Sequence, residues 1–498
     1  MGHHYLVSVF TLVEEKKTKL ILFERKGKAR KKLNKGLANG LAKEEYMDKT
    51  LERIGSYAAA LSYEDLPAST VQSVKQKFID TMGCILCAYL WEPCKLVRNL
   101  CFPMESGLTA RVIGSLQRTT PEMAAFAGST MGRAADFNDS YRIKRATHTS
   151  DAIPAVLAMA EALHADGKGL ITSIALMYEM GLLFTEKIAT MKDWNPDPCA
   201  LAATFGSAMG VGKILGLNQD QFRNAASMAL VANINLGSRL TGEHSMYKEV
   251  YAGVSARQGI FAALMARAGI TGPTETIEGE NGLNTLVDTV EIEPLGGKGI
   301  QFAVERSILK PYPARDALQV PIKVAQEIRK KVPPEKIKSV HVWTTRAPAA
   351  VAANVQEVWA PRTKETADHS MPFVVAAAFV DGDVNVDSYT RERFLDKEVL
   401  DMIAKIRIEE DPEFTKQSPH KFNSRIKVET QDGKTHTVHQ VFTLDELRQE
   451  WTDEAVEAKF RRNVRDLLSP DQIQASLDMM WHLEDLKDAA QILDHLHV

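Results

Sequence analysis

The sequence predicts a mainly α fold: a large all-helical domain interrupted by a smaller α+β domain. Three observations carry this reading. From Thr50 to about Met265 apolar residues recur at helical spacing. Near Glu291-Ile292-Glu293-Pro294 the composition shifts and period-two alternation takes over, and from Asp453 the helical period returns.

Size and composition set the outer bounds. At 498 residues the chain should build two or more domains. It is 45% hydrophobic and 25% charged, with a formal net charge of -3, an ordinary globular balance that does not point to nucleic acid as a partner. No apolar run reaches about 18 residues without a charge, which argues against a membrane span. Five cysteines are an odd number for a disulfide framework and fit a reducing, cytoplasmic setting.

Residues 1–46 read as an N-terminal extension, poorly ordered or added on. Val7 to Leu12 alternates weakly like a strand, while Lys16 to Lys35 is dominated by Lys and Arg. The short apolar run does not make a secretory signal, and Glu14, Glu15 and Glu24 are out of place in a mitochondrial presequence. The helical domain is expected over 47–300, beginning at Met47-Asp48-Lys49-Thr50. Leu51, Ile54, Tyr57 and Ala58 follow at helical spacing, and Leu66-Pro67 marks a turn. Cys84 and Cys87 have redox or zinc spacing, but the apolar neighbours Met82, Ile85, Leu86 and Leu90 make them core residues. No second CxxC offers a closed zinc site. Pro121 opens a helix from its first turn. Gly206 and Gly210 lie in an Ala/Gly-rich helix that lets neighbours approach closely; no strand precedes them, so they are not a nucleotide fingerprint.

The α+β domain is expected over 301–445. Lys338 to Thr344 alternates like a strand, and Ile426 to Val438 reads as a hairpin turning at Gln431-Asp432-Gly433-Lys434. Helices are expected at Val320–Lys331 and Pro372–Phe379. Residues 446–498, with helices at Asp453–Leu467 and Pro470–His482, complete the helical domain.

The chemistry concentrates in Ala134-Ala135-Asp136-Phe137-Asn138-Asp139-Ser140, followed by Thr147-His148-Thr149-Ser150-Asp151. Asp136 and Asp139 are three apart beside a helical stretch, so both carboxylates could share one face. An imidazole titrates near neutrality, which makes His148 a candidate acid or base. Asp139 could instead cap the following loop. Ser150-Asp151 stand before an apolar helical run, and Asp151 is expected to cap it.

This segment resembles the MmgE/PrpD family, which carries an Asp-Phe-(Asp/Asn)-Asp-(Thr/Ser) run and then a His-Pro-Ser-like element; here Thr149 replaces the Pro. Met246-Tyr247-Lys248 with Ala256-Arg257, Leu309-Lys310-Pro311-Tyr312-Pro313 and Ala367-Asp368-His369-Ser370-Met371-Pro372-Phe373 are similar in the same order, so the resemblance spans roughly 48 to 470. It implies that the smaller domain is a lid inserted into the helical one. It also implies a lyase that needs no cofactor or metal, acting on a small hydroxy di- or tricarboxylate in the manner of 2-methylcitrate dehydratase. Decarboxylation of a cis-aconitate-like substrate, epimerisation through the same carbanion and a non-catalytic dimeric relative are the alternatives. A homodimer is expected.

The resemblance gives Asp136 the role of base or relay, His148 that of acid or base, and Asp139 and Lys248 supporting catalytic roles. Ser140, Arg257, Lys310 and Tyr312 fall on the substrate side. From the residues themselves, Lys248 could equally be solvated and paired with Glu249, and Arg257 is expected buried near its helix face, needing a carboxylate. Asp368-His369-Ser370 reads first as a helix cap with an imidazole satisfying the loop. Two departures from the family stand out: Arg315-Asp316-Ala317-Leu318 lacks an expected His, and Asp193-Trp194-Asn195-Pro196-Asp197 offers Asn195 and Asp197 in place of another.

Overall fold

The computed structural model describes residues 48–498, apart from 143–145, 184, 186–197, 232, 234–235, 237–241, 288–291 and 293. The reading of Val7 to Leu12 as a strand, like the whole segment 1–46, lies outside the described residues.

The chain enters through Asp48, whose carboxylate accepts from the Thr50 and Leu51 amides at 3.1 Å and caps α1 (Lys49–Ala60). The same carboxylate accepts from Ile277 N at 2.7 Å, so the cap also pins a distant loop. After α2 (Ala68–Cys87) and α3 (Glu92–Asn99), Thr120 caps α4 (Pro121–Ala134), with Pro at its first position. Then come α5 (Ile153–Ala162), α6 (Gly167–Leu183), α7 (Pro198–Ile214), α8 (Gln219–Val231) and α9 (Tyr247–Arg267).

Helix α9 packs against both α4 and α7, and glycine makes that possible. A Cβ on Gly253 would stand 2.3 Å from Phe126 O, and one on Gly259 would stand 2.4 Å from Thr204 O. Both contacts are backbone, which has no rotamer to give way. Cys84 and Cys87 are buried free thiols in α2, and burial pushes the Cys87 thiol up to about 12, so neither is a reactive thiolate.

Beyond residue 310 the architecture changes. A small hairpin of β1 (Tyr141–Arg142) and β2 (Ala146–Thr147) lies at the candidate site, and strands β3 (Ile337–Thr344), β4 (Ile406–Glu410), β5 (Lys421–Thr430) and β6 (Thr435–Thr443) form one sheet in the order β4-β3-β5-β6. The β3–β4 pair is parallel; β3–β5 and β5–β6 are antiparallel. Gly433, at φ +80, supplies the left-handed residue of the β5–β6 turn. Helices α10 (Gln319–Arg329), α11 (Met371–Val380) and α12 (Lys397–Ile403) cover one face, burying Val340, Val342, Ile426 and Val428. The chain ends in α13 (Asp453–Val464) and α14 (Pro470–Trp481).

Two hydrophobic cores result. The first runs from Leu51 to Leu309 and takes back Val456 to Leu496 from the C-terminal helices; the second runs from Ala314 to Val428. The boundary therefore falls later than residue 301. Phe302, Ala303, Val304 and Leu309 belong to the first core, where the Glu179 carboxylate accepts from Ala303 N at 2.7 Å. Among the described residues no helix is long and apolar enough to cross a membrane.

Candidate active site

Helix α4 ends at Ala134 with Ala135 as its C-cap, and the next residue, Asp136, is buried at φ +47. A non-glycine residue in this region is strained by roughly 1–3 kcal/mol, though Asp tolerates it better than most. Cations hold it there. Lys310 Nζ donates to the Asp136 carbonyl at 2.5 Å and to Oδ1 at 2.6 Å, and Arg133, one turn back on α4, donates to Oδ1 at 2.6 Å. Lys310 arrives because Ile308 and Ser140 exchange backbone hydrogen bonds of 2.8 Å in both directions. Burial raises the Asp136 pKa, but Arg133 and then Lys310 outweigh it and hold the carboxyl well below the usual carboxylate range. Asp136 is thus a fixed anion and a weak base, which moves the weight of proton abstraction elsewhere.

The lid brings a second anion. Lys248, at the start of α9, donates to both carboxylate oxygens of Asp368 at 2.6 Å. Lys364 Nζ stands 2.8 Å from Asp368 Oδ2 and 3.1 Å from Glu249 Oε1, and it also donates to the Ala134 carbonyl. Burial raises the Asp368 pKa, yet Lys248 and Lys364 win and its carboxyl is driven far down. His369 joins the two anions, with Nδ1 2.6 Å from Asp368 Oδ1 and 3.5 Å from Asp136 Oδ2. Ser370 caps α11, accepting from Phe373 N at 3.0 Å. The segment read first as a cap is therefore a cap whose two preceding side chains enter the site.

His148 follows the hairpin formed by β1 (Tyr141–Arg142) and β2 (Ala146–Thr147). Its Nδ1 lies 2.7 Å from the Asp139 carbonyl. A carbonyl can only accept, so Nδ1 carries the proton and Nε2 is the basic nitrogen. Burial, then the charges of Arg133 and Lys310, keep the ring pKa well below the ordinary value, so the imidazole is neutral. The Asp139 carboxylate takes the Tyr178 hydroxyl at 2.9 Å and Ser150 N at 3.2 Å, the loop-capping role rather than a proton-transfer one. Ser140 Oγ is buried and makes no hydrogen bond among the described residues.

Three expectations are corrected. Arg257 is exposed, because nine residues after Lys248 place it about 180° round α9. Tyr312 spends its hydroxyl on Gln326 Oε1 of α10 at 2.5 Å, inside the lid. Asp151 caps nothing: it accepts from Asn138 Nδ2 at 2.8 Å and the Tyr251 hydroxyl at 3.1 Å. The Asn195 and Asp197 readings lie outside the described residues. At the other departure, Arg315 donates its backbone N–H to the Asp368 carbonyl at 2.9 Å. Arg133 and Lys364 went unread, although Arg133 stands at i,i+3 to Asp136 and Lys364 at i,i+4 to Asp368, the spacings at which helical ion pairs form.

Asp136, Asp368 and His369 place donor atoms within 4.8 Å of one another, close enough to hold a metal. The donor set argues otherwise. Arg133, Lys248, Lys310 and Lys364 already bind these carboxylates, and a divalent cation would meet all four positive charges. What the cluster suits is an anion.

Two family models match the chain: the MmgE/PrpD N-terminal domain over residues 52–292 and the MmgE/PrpD C-terminal domain over residues 312–485. Cis-aconitate decarboxylase of Homo sapiens is 25% identical over 451 residues, 87% of this chain and 92% of that protein. Cis-aconitate decarboxylase of Aspergillus terreus is 22% identical over 473 residues, 89% and 94% of the two chains. 2-Methylcitrate dehydratase of Salmonella typhi is 25% identical over 401 residues, 75% and 81%.

Burial pushes the Asp151 carboxyl up to about 7, against Arg133, Asn138 and Tyr251, which lower it. Its unfolded value is roughly 3.9, so the folded chain binds more protons across that window. Stability contributed at Asp151 is therefore lost as pH rises from about 4 to about 7, by up to about 1.4 kcal/mol per pH unit. Urea unfolding of wild type and D151N across this range should show a gap that moves in the variant's favour with pH; a constant gap would refute the assignment. Chelator treatment should leave turnover intact, and activity restored only by one added metal ion would overturn the reading of the carboxylate cluster.

Proposed function

The chain belongs to the MmgE/PrpD family, and from that premise we propose that it is a cofactor-free lyase acting on a small hydroxy di- or tricarboxylate, in the manner of 2-methylcitrate dehydratase. The observation that carries this is the meeting of three buried cations, Arg133, Lys248 and Lys310, and the part-buried Lys364 with a neutral imidazole whose Nε2 is basic. Substrate carboxylates would take over lysine bonds now made to Asp136 and Asp368. His148 Nε2 then removes the proton next to a carboxylate, and the charge that develops on that carboxylate is met by lysines already stripped of water. Loss of hydroxide completes the elimination: a C–H and a C–O bond break, a C=C bond forms and water leaves. Burial lowers the Lys310 pKa, with Arg133 adding to the effect against Asp136, which makes Lys310 the readier proton donor to the leaving hydroxyl.

Decarboxylation is the second reading, favoured because the cis-aconitate decarboxylases of Homo sapiens and Aspergillus terreus align over more of this chain than the dehydratase of Salmonella typhi does. There a C–C bond breaks, carbon dioxide leaves, and the carbanion is reprotonated at the same site. We place the enzyme in the cytoplasm and read it as a homodimer. Leu96, Leu100 and Phe102, exposed on α3 and its exit, give the apolar surface that a second copy would cover.

Incubation with methylcitrate, citrate and cis-aconitate, followed by mass, separates the reactions. Loss or gain of about 18 mass units supports dehydration, and loss of about 44 supports decarboxylation. H148N should cut either by roughly 10²- to 10⁴-fold with the fold intact. No product from any substrate would sink the lyase reading. Light scattering at micromolar concentration should give about twice 55.2 kDa, and a stable monomer would remove the homodimer.

A further inference from the structure

The motif run Asp136–Ser140 leaves α4 through a left-handed residue, so its carbonyls cannot join the helix ladder and need partners from elsewhere. Lys310 Nζ donates to the Asp136 carbonyl at 2.5 Å, and Lys459 Nζ donates to the Phe137 carbonyl at 2.8 Å. His148 Nδ1 donates to the Asp139 carbonyl at 2.7 Å, and Ile308 N to the Ser140 carbonyl at 2.8 Å. Lys310 and His148 belong to the site already described; Lys459 does not. It stands on α13, beyond the lid in sequence, and is 4% exposed. Among the described residues its polar partners are that carbonyl and the Asp80 carboxylate of α2, at 2.5 Å. Its Nζ also lies 3.9 Å from the centre of the Phe137 ring, so one cation holds Phe137 by both main chain and side chain.

Two successive peptide planes are thereby pinned, the first through the Asp136 carbonyl and the second through the Phe137 carbonyl. That fixes the backbone dihedrals of Phe137 between them. Asp136 precedes this fixed unit. After it come Asn138, whose Oδ1 accepts from Arg133 at 3.3 Å, and Asp139, whose carbonyl sets the His148 tautomer. We propose that Lys459 is a positioning residue for the proton transfer: it touches no group of the charge cluster, and by holding the Phe137 carbonyl it sets where the Asp136–Lys310 pair stands relative to His148. The proposal rests on the lyase reading above and adds a residue outside the site on which the rate depends. Misplacing a reacting group by about 1 Å costs up to about 10²-fold in rate.

K459M removes the grip and leaves Asp80, whose pKa burial already raises against Lys459, able to take up a proton. D80N/K459M removes the grip and both charges of the pair. D80N alone keeps the amine and its bond to the carbonyl. With the full chain, and whichever substrate the wild type turns over, the two variants lacking Lys459 should lose roughly 10- to 100-fold in kcat with KM within about threefold, because the substrate-binding cations are untouched. D80N should lower the Tm and keep kcat within about threefold. The deuterium isotope effect on kcat should grow in K459M, because proton transfer becomes the slower step; a loss of stability alone would not move it. Wild-type kcat in a folded K459M or D80N/K459M overturns the assignment. So does a D80N protein as slow as the double variant, since the ion pair and not the carbonyl bond would then carry the effect. Failure of both Lys459 variants to fold makes the lysine part of the scaffold, which overturns it too. These outcomes leave the lyase reading standing, whereas a wild type that turns over no polycarboxylate removes that reading and the Lys459 assignment with it.

Discussion

The charge cluster where the two cores meet is the constraint on which the rest of the structure depends. Arg133, Lys248, Lys310 and Lys364 are buried or nearly so, as are Asp136, Asp368 and Glu249. Each of these charges alone would lose several kcal/mol of hydration, so each must be met by an opposite charge at hydrogen-bond distance. The pairs join pieces far apart in sequence: Lys310 to Asp136, Lys248 to Asp368, Lys364 to Glu249. Satisfying them fixes how the lid segment sits on the helical core. Hydrophobic burial builds each core but has no comparable direction.

The same pairing explains why the resting site suits an anion. Its cations are already desolvated and oriented, so on the proposed reading a ligand carboxylate would exchange places with a protein carboxylate. The left-handed backbone at Asp136 belongs to this arrangement, since Lys310 grips the carbonyl and the carboxylate of one residue together. A relaxed backbone would turn one of those oxygens away. His148 is held in one tautomer by a main-chain carbonyl, a bond that titration of neighbouring acids would not remove.

Local features were the legible ones. Strand β3 and the β5–β6 hairpin were readable from alternation, α4 and α11 from proline at their first turns, and Asp136, His148, Lys248 and Lys310 from short motifs. Strand β4 escaped because only Ile406 and Ile408 give it an apolar face, too little for a pattern. Arg257 was misplaced because its proximity to Lys248 in sequence is opposition on a helix. Asp151 was misjudged because the position suited a cap while tertiary partners claimed the side chain. Arg133 and Lys364 went unread although their i,i+3 and i,i+4 partners are local; what one sequence does not record is that Lys310 and Lys248 come to the same two carboxylates from far away.

The floor under the site motif is supplied by the far end of the chain. Lys459, on α13, donates to the Phe137 carbonyl at 2.8 Å and pairs with the buried Asp80 at 2.5 Å. Without that lysine the Phe137 carbonyl and the Asp80 carboxylate would each lose a buried partner, so the Asp136–Ser140 turn leans on the C-terminal helix as well as on Arg133 and Lys310. Lys310 and Lys459 both stand far downstream of residue 136, so on a ribosome the Asp136–Ser140 segment emerges well before the partners that hold it.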